Sequence, residues 1–176
     1  MVCFGEFELD QCDFFLQDSL IRILPNFNEN KLELITGHIC KFKAGVISEV
    51  PLWVALYLKS KNKCKIVAPE WFTTQYWEKK ITLEKATSAF TRMPHQNYYE
   101  MTRLLCKEAP DDIIDADKVR MIVKDTFEMR VGKLKSSIST IIEASAQHAK
   151  LNYLTSFELR ILKRFIIEAM KLENKI

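Results

Sequence analysis

Glycine and proline are scarce in this sequence, which contains four glycines and five prolines among 176 residues. Flexible linkers and low-complexity tails are rich in such residues, and we expect neither here. The sequence also lacks repeats at the usual periods of repeat proteins. With 48% hydrophobic and 28% charged residues, its composition is typical of an ordered globular protein.

Long apolar runs are absent as well. No run reaches the roughly 18 residues that a membrane-spanning helix needs. The first ten residues, MVCFGEFELD, are acidic where a signal peptide would be basic. We therefore expect a cytosolic or nuclear protein with no membrane partner.

The five cysteines are odd in number and form no CxxC pair, which favours reduced thiols: Cys3, Cys12, Cys40, Cys64 and Cys106. His38 and Cys40 come nearest to a metal-binding pair, but a zinc site needs a second close pair that the sequence does not offer. We predict no metal ligand.

Motifs of catalysis and cofactor binding are missing too. The sequence has no glycine-rich phosphate loop, no GxSxG, no HExxH and no cysteine–histidine dyad with the spacing of a catalytic motif. The three histidines, His38, His95 and His148, lie far apart, and lone histidines are more often packed or surface residues than general bases. We predict no catalytic residue, no cofactor and no small-molecule substrate. The absence of these motifs favours a binding or assembly protein.

Four acids precede a predicted long helix: Asp111, Asp112, Asp115 and Asp117. A metal site is one interpretation. The stronger one is that these carboxylates cap free N–H groups and favour the helix dipole.

Charge is unevenly distributed. Residues 1–60 carry 5 basic and 8 acidic side chains, giving −3, and the remaining 21 basic and 15 acidic side chains give +6. A mild basic excess on helices is typical of a solvated face, although the runs KSKNKCK and KLK leave nucleic-acid binding open.

The periodicity predicts an α+β fold that is mainly helical. Residues 1–65 form a small strand-rich domain, with an amphipathic helix over 6–17, strands near 20–24, 31–35, 39–42 and 64–67, and a helix over 51–61. Residues 66–176 form a helical bundle, with helices over 69–87, 98–109, 116–148 and 155–173. The 116–148 helix would be ~50 Å long.

Two helices carry more apolar surface than one chain of this size can cover. The stripe of the long helix and the broad apolar surface of the last helix both require neighbours, which predicts a permanent complex. The candidate contact residues are Phe127, Leu134, Ile138, Phe157, Ile161 and Phe165, some of which must serve the internal core.

Landmarks along the chain resemble a known family. They are the run Ile23 to Phe27, the block from Glu49 to Trp71, Met93-Pro94 followed by Tyr98 to Glu100, the run Val123 to Lys135, and the run Ala146 to Leu159. In this order they are similar to the Psf-two subunits of the GINS complex, and the block from Glu49 to Trp71 is the most specific.

The resemblance implies a small strand-rich domain followed by a helical domain. It also implies a non-catalytic subunit that joins three paralogous subunits in a heterotetramer. That complex joins the Cdc-forty-five protein and the MCM ring in the CMG helicase, in the nucleus, with DNA contact by this chain weak or indirect.

Four positions match the family's charged pattern: Lys124, Asp125, Arg130 and Lys133. They are either surface pairs along one helix or salt bridges between domains or subunits. A freestanding DNA-binding or adaptor module is the alternative function.

Overall fold

The computed structural model describes residues 16–34, 39–143 and 152–173. The strands are β1 (Leu20–Pro25), β2 (Glu29–Glu33), β3 (Ile39–Phe42), β4 (Ser48–Pro51) and β5 (Cys64–Val67). The helices are α1 (Leu52–Ser60), α2 (Thr74–Ala86), α3 (Tyr98–Glu108), α4 (Ala116–Glu143) and α5 (Ser156–Glu173), and a 3-10 turn covers Pro110–Asp112. The predicted α+β class, with strands first and a helical bundle after, is confirmed.

The chain forms two compact units. Unit 1 contains the chain up to residue 73 together with residues 100–117, and unit 2 contains residues 74–99 and the chain from residue 118 onward. In the part of the chain that the structure describes, no helix is long and apolar enough to cross a membrane.

Unit 1 is built on a three-stranded antiparallel sheet in the order β4-β1-β5, beside the β2–β3 hairpin. Strand β1 alternates as a half-buried strand should: Ile21 and Ile23 are buried, and Leu20 and Arg22 are exposed. Ile21 lies opposite Val50 of β4, and Ile23 lies opposite Ile66 of β5. The central strand thus carries the apolar row on which the unit is packed.

Helix α1 follows β4 without a loop and packs on β1, β4 and β5. Its first amide, at Leu52, donates to the Ser19 carbonyl at 2.8 Å, which fixes its start to the sheet. Its inner face buries Leu52, Val54, Ala55 and Leu58.

Unit 2 is helical and is centred on α4, whose 28 residues span ~42 Å. Its buried stripe includes Val119, Val123, Phe127, Leu134 and Ile138. Trp77 from α2 and Phe157 from α5 are also buried in this unit.

Several predicted boundaries need correction. The helix expected from residue 69 begins at Thr74, because residues 69–72 form a turn closed by Phe72 N–H to Pro69 O. The helix predicted over 51–61 begins at Leu52, because Pro51 is the last residue of strand β4. Most of the helix predicted over 6–17, and residues 144–148 of the long helix, lie outside the described residues.

Candidate functional site

Arg130 lies at the centre of unit 2 with a fully buried side chain. Its Nε donates to Glu158 Oε1 at 2.6 Å and its Nη2 to Glu158 Oε2 at 2.9 Å, a bidentate ion pair. Its Nη1 donates to Glu84 Oε2 at 3.2 Å and to the Thr91 carbonyl at 3.0 Å. Its Nη2 also donates to the Tyr153 carbonyl at 2.9 Å. All five N–H donors of the guanidinium are therefore satisfied.

Lys133, one turn further along α4, reaches the end of α2. Its ammonium donates to Glu84 Oε1 at 2.9 Å, and also to the carbonyls of Glu84 and Thr87. A cation at this position meets both the free carbonyls and the negative end of the α2 dipole. We refer to Glu84, Arg130, Lys133 and Glu158 as the ionic cluster; it pairs two positive with two negative charges.

The pKa shifts of Glu84 and Arg130 both favour the charged form. Burial alone would raise the pKa of Glu84, but hydrogen bonds from Thr91 and Lys133 and the charge of Arg130 hold it below its usual value. Burial likewise opposes charge on Arg130, and the hydrogen bond and charge of Glu158 more than offset this, so that the pKa of Arg130 is raised. A buried charge without its partners would destabilise the folded state. The ionic cluster therefore holds α2, α4 and α5 together.

A capping box joins the cluster to the start of α5. The Thr155 amide donates to Glu158 Oε2 at 2.8 Å, and the Glu158 amide donates to Thr155 Oγ1 at 3.4 Å. A threonine followed three residues later by a glutamate at a helix start is the usual sequence pattern of this motif. The same carboxylate also accepts from Arg130, which a local pattern cannot reveal.

Three aromatic rings pack within unit 2. The ring centroids of Tyr99 and Phe127 lie 4.2 Å apart in a stacked arrangement, and those of Phe127 and Phe157 lie 5.5 Å apart. Aromatic pairs at such distances add to the energy of burial. We refer to Tyr99, Phe127 and Phe157 as the aromatic cluster; it holds α5 against α4.

The structure places the predicted contact residues unevenly. Phe165 is half-buried, with the Lys135 ammonium 5.1 Å from its ring centroid. The other five are buried within the chain: Phe127, Leu134, Ile138, Phe157 and Ile161. Their side chains contribute to the core of unit 2, and a contact with another subunit stays a prediction.

Exposed apolar side chains occur on the same helices at other positions. Leu83 of α2 is 56% exposed, Met121 of α4 is 59% exposed and Leu159 of α5 is 49% exposed. The contact residues predicted from the sequence do not include them, because the sequence does not show which face of a helix meets the core. They are the better candidates for contact with another chain.

The four charged positions also differ in their surroundings. Lys124 is exposed, with its ammonium 3.7 Å from Glu128 in an i,i+4 pair, and Asp125 is exposed. Arg130 and Lys133 instead form ion pairs with carboxylates of other helices in unit 2. A salt bridge between subunits at any of the four stays a prediction.

Asp112 joins separate parts of unit 1. Its Oδ2 accepts from the Ile66 amide of β5 at 2.8 Å and lies 2.8 Å from the Lys59 ammonium of α1. Its expected role at the start of α4 is therefore wrong, since the carboxylate is engaged elsewhere. Among the described residues, no group of acids, histidines and cysteines is arranged to hold a metal ion.

Cys64, Cys106 and His95 are packed side chains. Cys64 and Cys106 are buried free thiols, and burial, together with the charge of Asp112, raises the pKa of Cys64 to about 11. Burial lowers the pKa of His95, whose Nδ1 accepts from the Asn97 amide at 3.1 Å. His38 and His148 lie outside the described residues.

Glu84 is the member of the cluster that sequence reasoning did not find. It occurs between Leu83 and Lys85 in a charged stretch and resembles a surface residue. One signal was available: Glu84 follows the buried Trp77 by seven residues, or two helical turns, and so shares its face.

Comparison with known proteins gives matches along both parts of the chain. The family model described as the PSF2 N-terminal domain matches residues 8–67, and the model described as the GINS complex protein helical bundle domain matches residues 71–176. These two matches account for most of the chain, in the order strand-rich part and then helical part.

The chain is also similar to whole proteins from several organisms. The DNA replication complex GINS protein PSF2 of Homo sapiens is 37% identical over 160 residues, which cover 91% of this chain and 86% of that protein. The protein of the same name from Xenopus laevis is 36% identical, with 93% and 88% covered. That from Saccharomyces cerevisiae is 30% identical, with 93% and 84% covered.

Proposed function

Because this chain belongs to the PSF2 family of GINS proteins of the DNA replication complex, we propose that it is a non-catalytic subunit of a heterotetramer formed with three paralogous subunits. The observation that carries the proposal is the match of both family models, in order, over nearly the whole chain. Similarity over most of each relative's length supports a role for the whole chain.

The helical faces of unit 2 supply a physical reason for assembly. Leu83, Met121 and Leu159 are about half exposed or more, each on a different helix. Burial of apolar area at an interface removes this surface from water and favours association. The ionic cluster and the aromatic cluster would hold these helices in a fixed arrangement for docking.

The wider assembly follows from the family resemblance. In this proposal the heterotetramer joins Cdc-forty-five and the MCM ring in the CMG helicase, in the nucleus. The chain itself contacts DNA weakly or indirectly and uses no cofactor. Its division into a small domain over residues 1–65 and a helical domain over 66–176 is part of the same proposal.

Co-expression with the three paralogous subunits of the same organism tests the proposal. We expect one peak in size-exclusion chromatography, whose mass by light scattering equals that of four different chains in equal ratio. A monomer that ignores all three partners would contradict it.

The alternative is a freestanding DNA-binding or adaptor module, favoured by the net charge of +6 after residue 60. It predicts that the isolated chain binds a DNA duplex with an affinity that falls steeply as salt rises. Binding that is absent near physiological salt would exclude it, and titration with a labelled duplex separates the two functions.

A further inference from the structure

One end of the sheet in unit 1 gathers three chain connections. Strand β1 ends there at Pro25, β4 begins there at Ser48 and β5 begins there at Cys64, because β1 is antiparallel to both neighbours. The connections are residues 26–28, 43–47 and 61–63. Their exposed side chains therefore share one region of the surface.

Hydrogen bonds tie these connections together. The Asn26 amide donates to the Lys63 carbonyl at 2.9 Å, and its side-chain Nδ2 donates to the Asn62 carbonyl at 2.9 Å. The Gly45 amide donates to the Pro25 carbonyl at 3.0 Å, and the Ala44 amide donates to Asn28 Oδ1 at 2.8 Å. These hydrogen bonds hold the backbone of the three connections in a defined arrangement.

The charges on the three connections all have one sign. Lys43, Lys61 and Lys63 are the charged residues within 26–28, 43–47 and 61–63, and all three are exposed. The Lys63 ammonium lies 5.5 Å from the ring centroid of Phe27, and the Lys61 ammonium lies 5.9 Å from that of Tyr57. Glu29, at the start of β2, directly follows the connection 26–28 and carries a negative charge.

Apolar side chains are exposed among these cations. Val46 is 53% exposed and Ile47 is 56% exposed, next to each other in the connection to β4. Tyr57, in the last turn of α1, is 61% exposed. We name this region the basic-apolar surface; its members are Lys43, Val46, Ile47, Tyr57, Lys61 and Lys63.

We propose that the basic-apolar surface docks a protein partner whose contacting face carries carboxylates around exposed apolar side chains. Charge complementarity requires an acidic partner. The apolar residues favour a protein over a nucleic acid, because a phosphate backbone would cover Val46 and Ile47 without any apolar partner for them. The inference rests on the proposed function, since such a partner is one component of the assembly.

A photo-crosslinking experiment tests this surface in the assembled complex. Ile47 is replaced by p-benzoylphenylalanine in the chain, which is reconstituted with its three paralogous subunits, Cdc-forty-five, the MCM ring and a single-stranded oligonucleotide. Leu20 supplies the matched control position, because it lies at the opposite end of β1 and is 58% exposed against 56% for Ile47. Mass spectrometry then identifies the crosslinked segment.

We expect crosslinks from position 47 to one protein segment rich in Asp and Glu, at several times the yield from position 20. Charge reversal in K61E/K63E should lower that yield about tenfold, because opposite charges then become like charges. K79E/K85E, which makes the same change at exposed lysines of α2, should leave it unaltered.

Three results would overturn the proposal: equal yields at both positions, a crosslinked protein segment without excess acidic residues, or crosslinks to the oligonucleotide alone. If the four-chain complex forms normally in any of these cases, the proposed function stands and only this inference is wrong. If the four-chain complex does not form, the proposed function is wrong, and the inference that rests on it is wrong with it.

Discussion

Arg130 and Glu158 meet through two parallel hydrogen bonds, of 2.6 Å and 2.9 Å, although 28 residues separate them in the chain. Both side chains are buried, and Glu158 also closes the capping box of α5. The pair thus connects the middle of α4 to the first turn of α5. A helix that docks on another protein needs such a fixed orientation.

Removal of Arg130 should be severely destabilising. We expect R130A to lower the free energy of unfolding of unit 2 by about 3–5 kcal/mol, because Glu158 and Glu84 are left as buried charges without their main partner. Urea unfolding followed by Trp77 fluorescence, with Trp53 and Trp71 replaced by Phe, reports on unit 2. K124A removes an exposed pair and should cost less than about 1 kcal/mol; equal effects of the two variants would contradict this role of Arg130.

The contribution of Glu84 should depend on pH. Its pKa in the folded chain lies below the ordinary value of 4.5, so the folded state favours the carboxylate. The stability from Glu84 is therefore present above pH 4.5 and is lost as pH falls through the folded pKa. We expect the difference in unfolding free energy between the wild type and E84Q to narrow on acidification below 4.5.

The same urea titration at a series of pH values measures this difference. E78Q, at an exposed position of the same helix, serves as the control and should give a curve parallel to the wild type. A difference between the wild type and E84Q that stays constant down to acid pH would show that ionisation of Glu84 is not involved.

Asp112 should stabilise β5 in unit 1. We expect D112A to lower the unfolding free energy of this unit by about 1–3 kcal/mol, because the Ile66 amide loses its acceptor and the Lys59 ammonium its counter-ion. Hydrogen exchange at the Ile66 amide should accelerate more than at other strand amides. D111A changes the exposed neighbour and should leave exchange unaltered; unchanged exchange in D112A would refute the prediction.

Phe157 is buried and Leu159 is half exposed, two positions apart on α5, and we expect Leu159 to contact another subunit. F157A should destabilise the chain by about 3–5 kcal/mol through a cavity in the aromatic cluster. L159E should leave the fold intact and reduce recovery of the four-chain complex. Circular dichroism and size-exclusion chromatography measure the two effects. Normal assembly of L159E would remove Leu159 from the interface.

Local sequence patterns predict the presence of helices and strands better than the residues at which they begin and end. Some features depend only on residues close together in the sequence and can be predicted from it. They are the strand at 64–67, the helix at 98–108 and the capping box at Thr155. Strand β4 was missed because Val50 and Pro51 are held by pairing with β1, thirty residues earlier in the chain. Such pairing leaves little local signal.

The ionic cluster was only partly predictable. Arg130 and Lys133 were named from the family pattern, but their partners come from α2 and α5, 46 to 49 and 28 residues away. No rule of spacing along one helix reaches such distances. The same limitation explains why Met121 and Leu159 are absent from the predicted contact residues: the exposed face of a helix is decided by the tertiary packing of its neighbours.

The order in which the cluster's members occur along the chain has a consequence for synthesis on the ribosome. Glu84 and Arg130 are made first, and Glu158 follows only when α5 is translated. Until then, packing of α2 against α4 would bury a guanidinium with one of its two carboxylates and without the bidentate pair. We therefore expect the nascent helical unit to lack a stable fold until α5 has left the ribosome, and ribosomes stalled before residue 158 to carry a loosely packed chain.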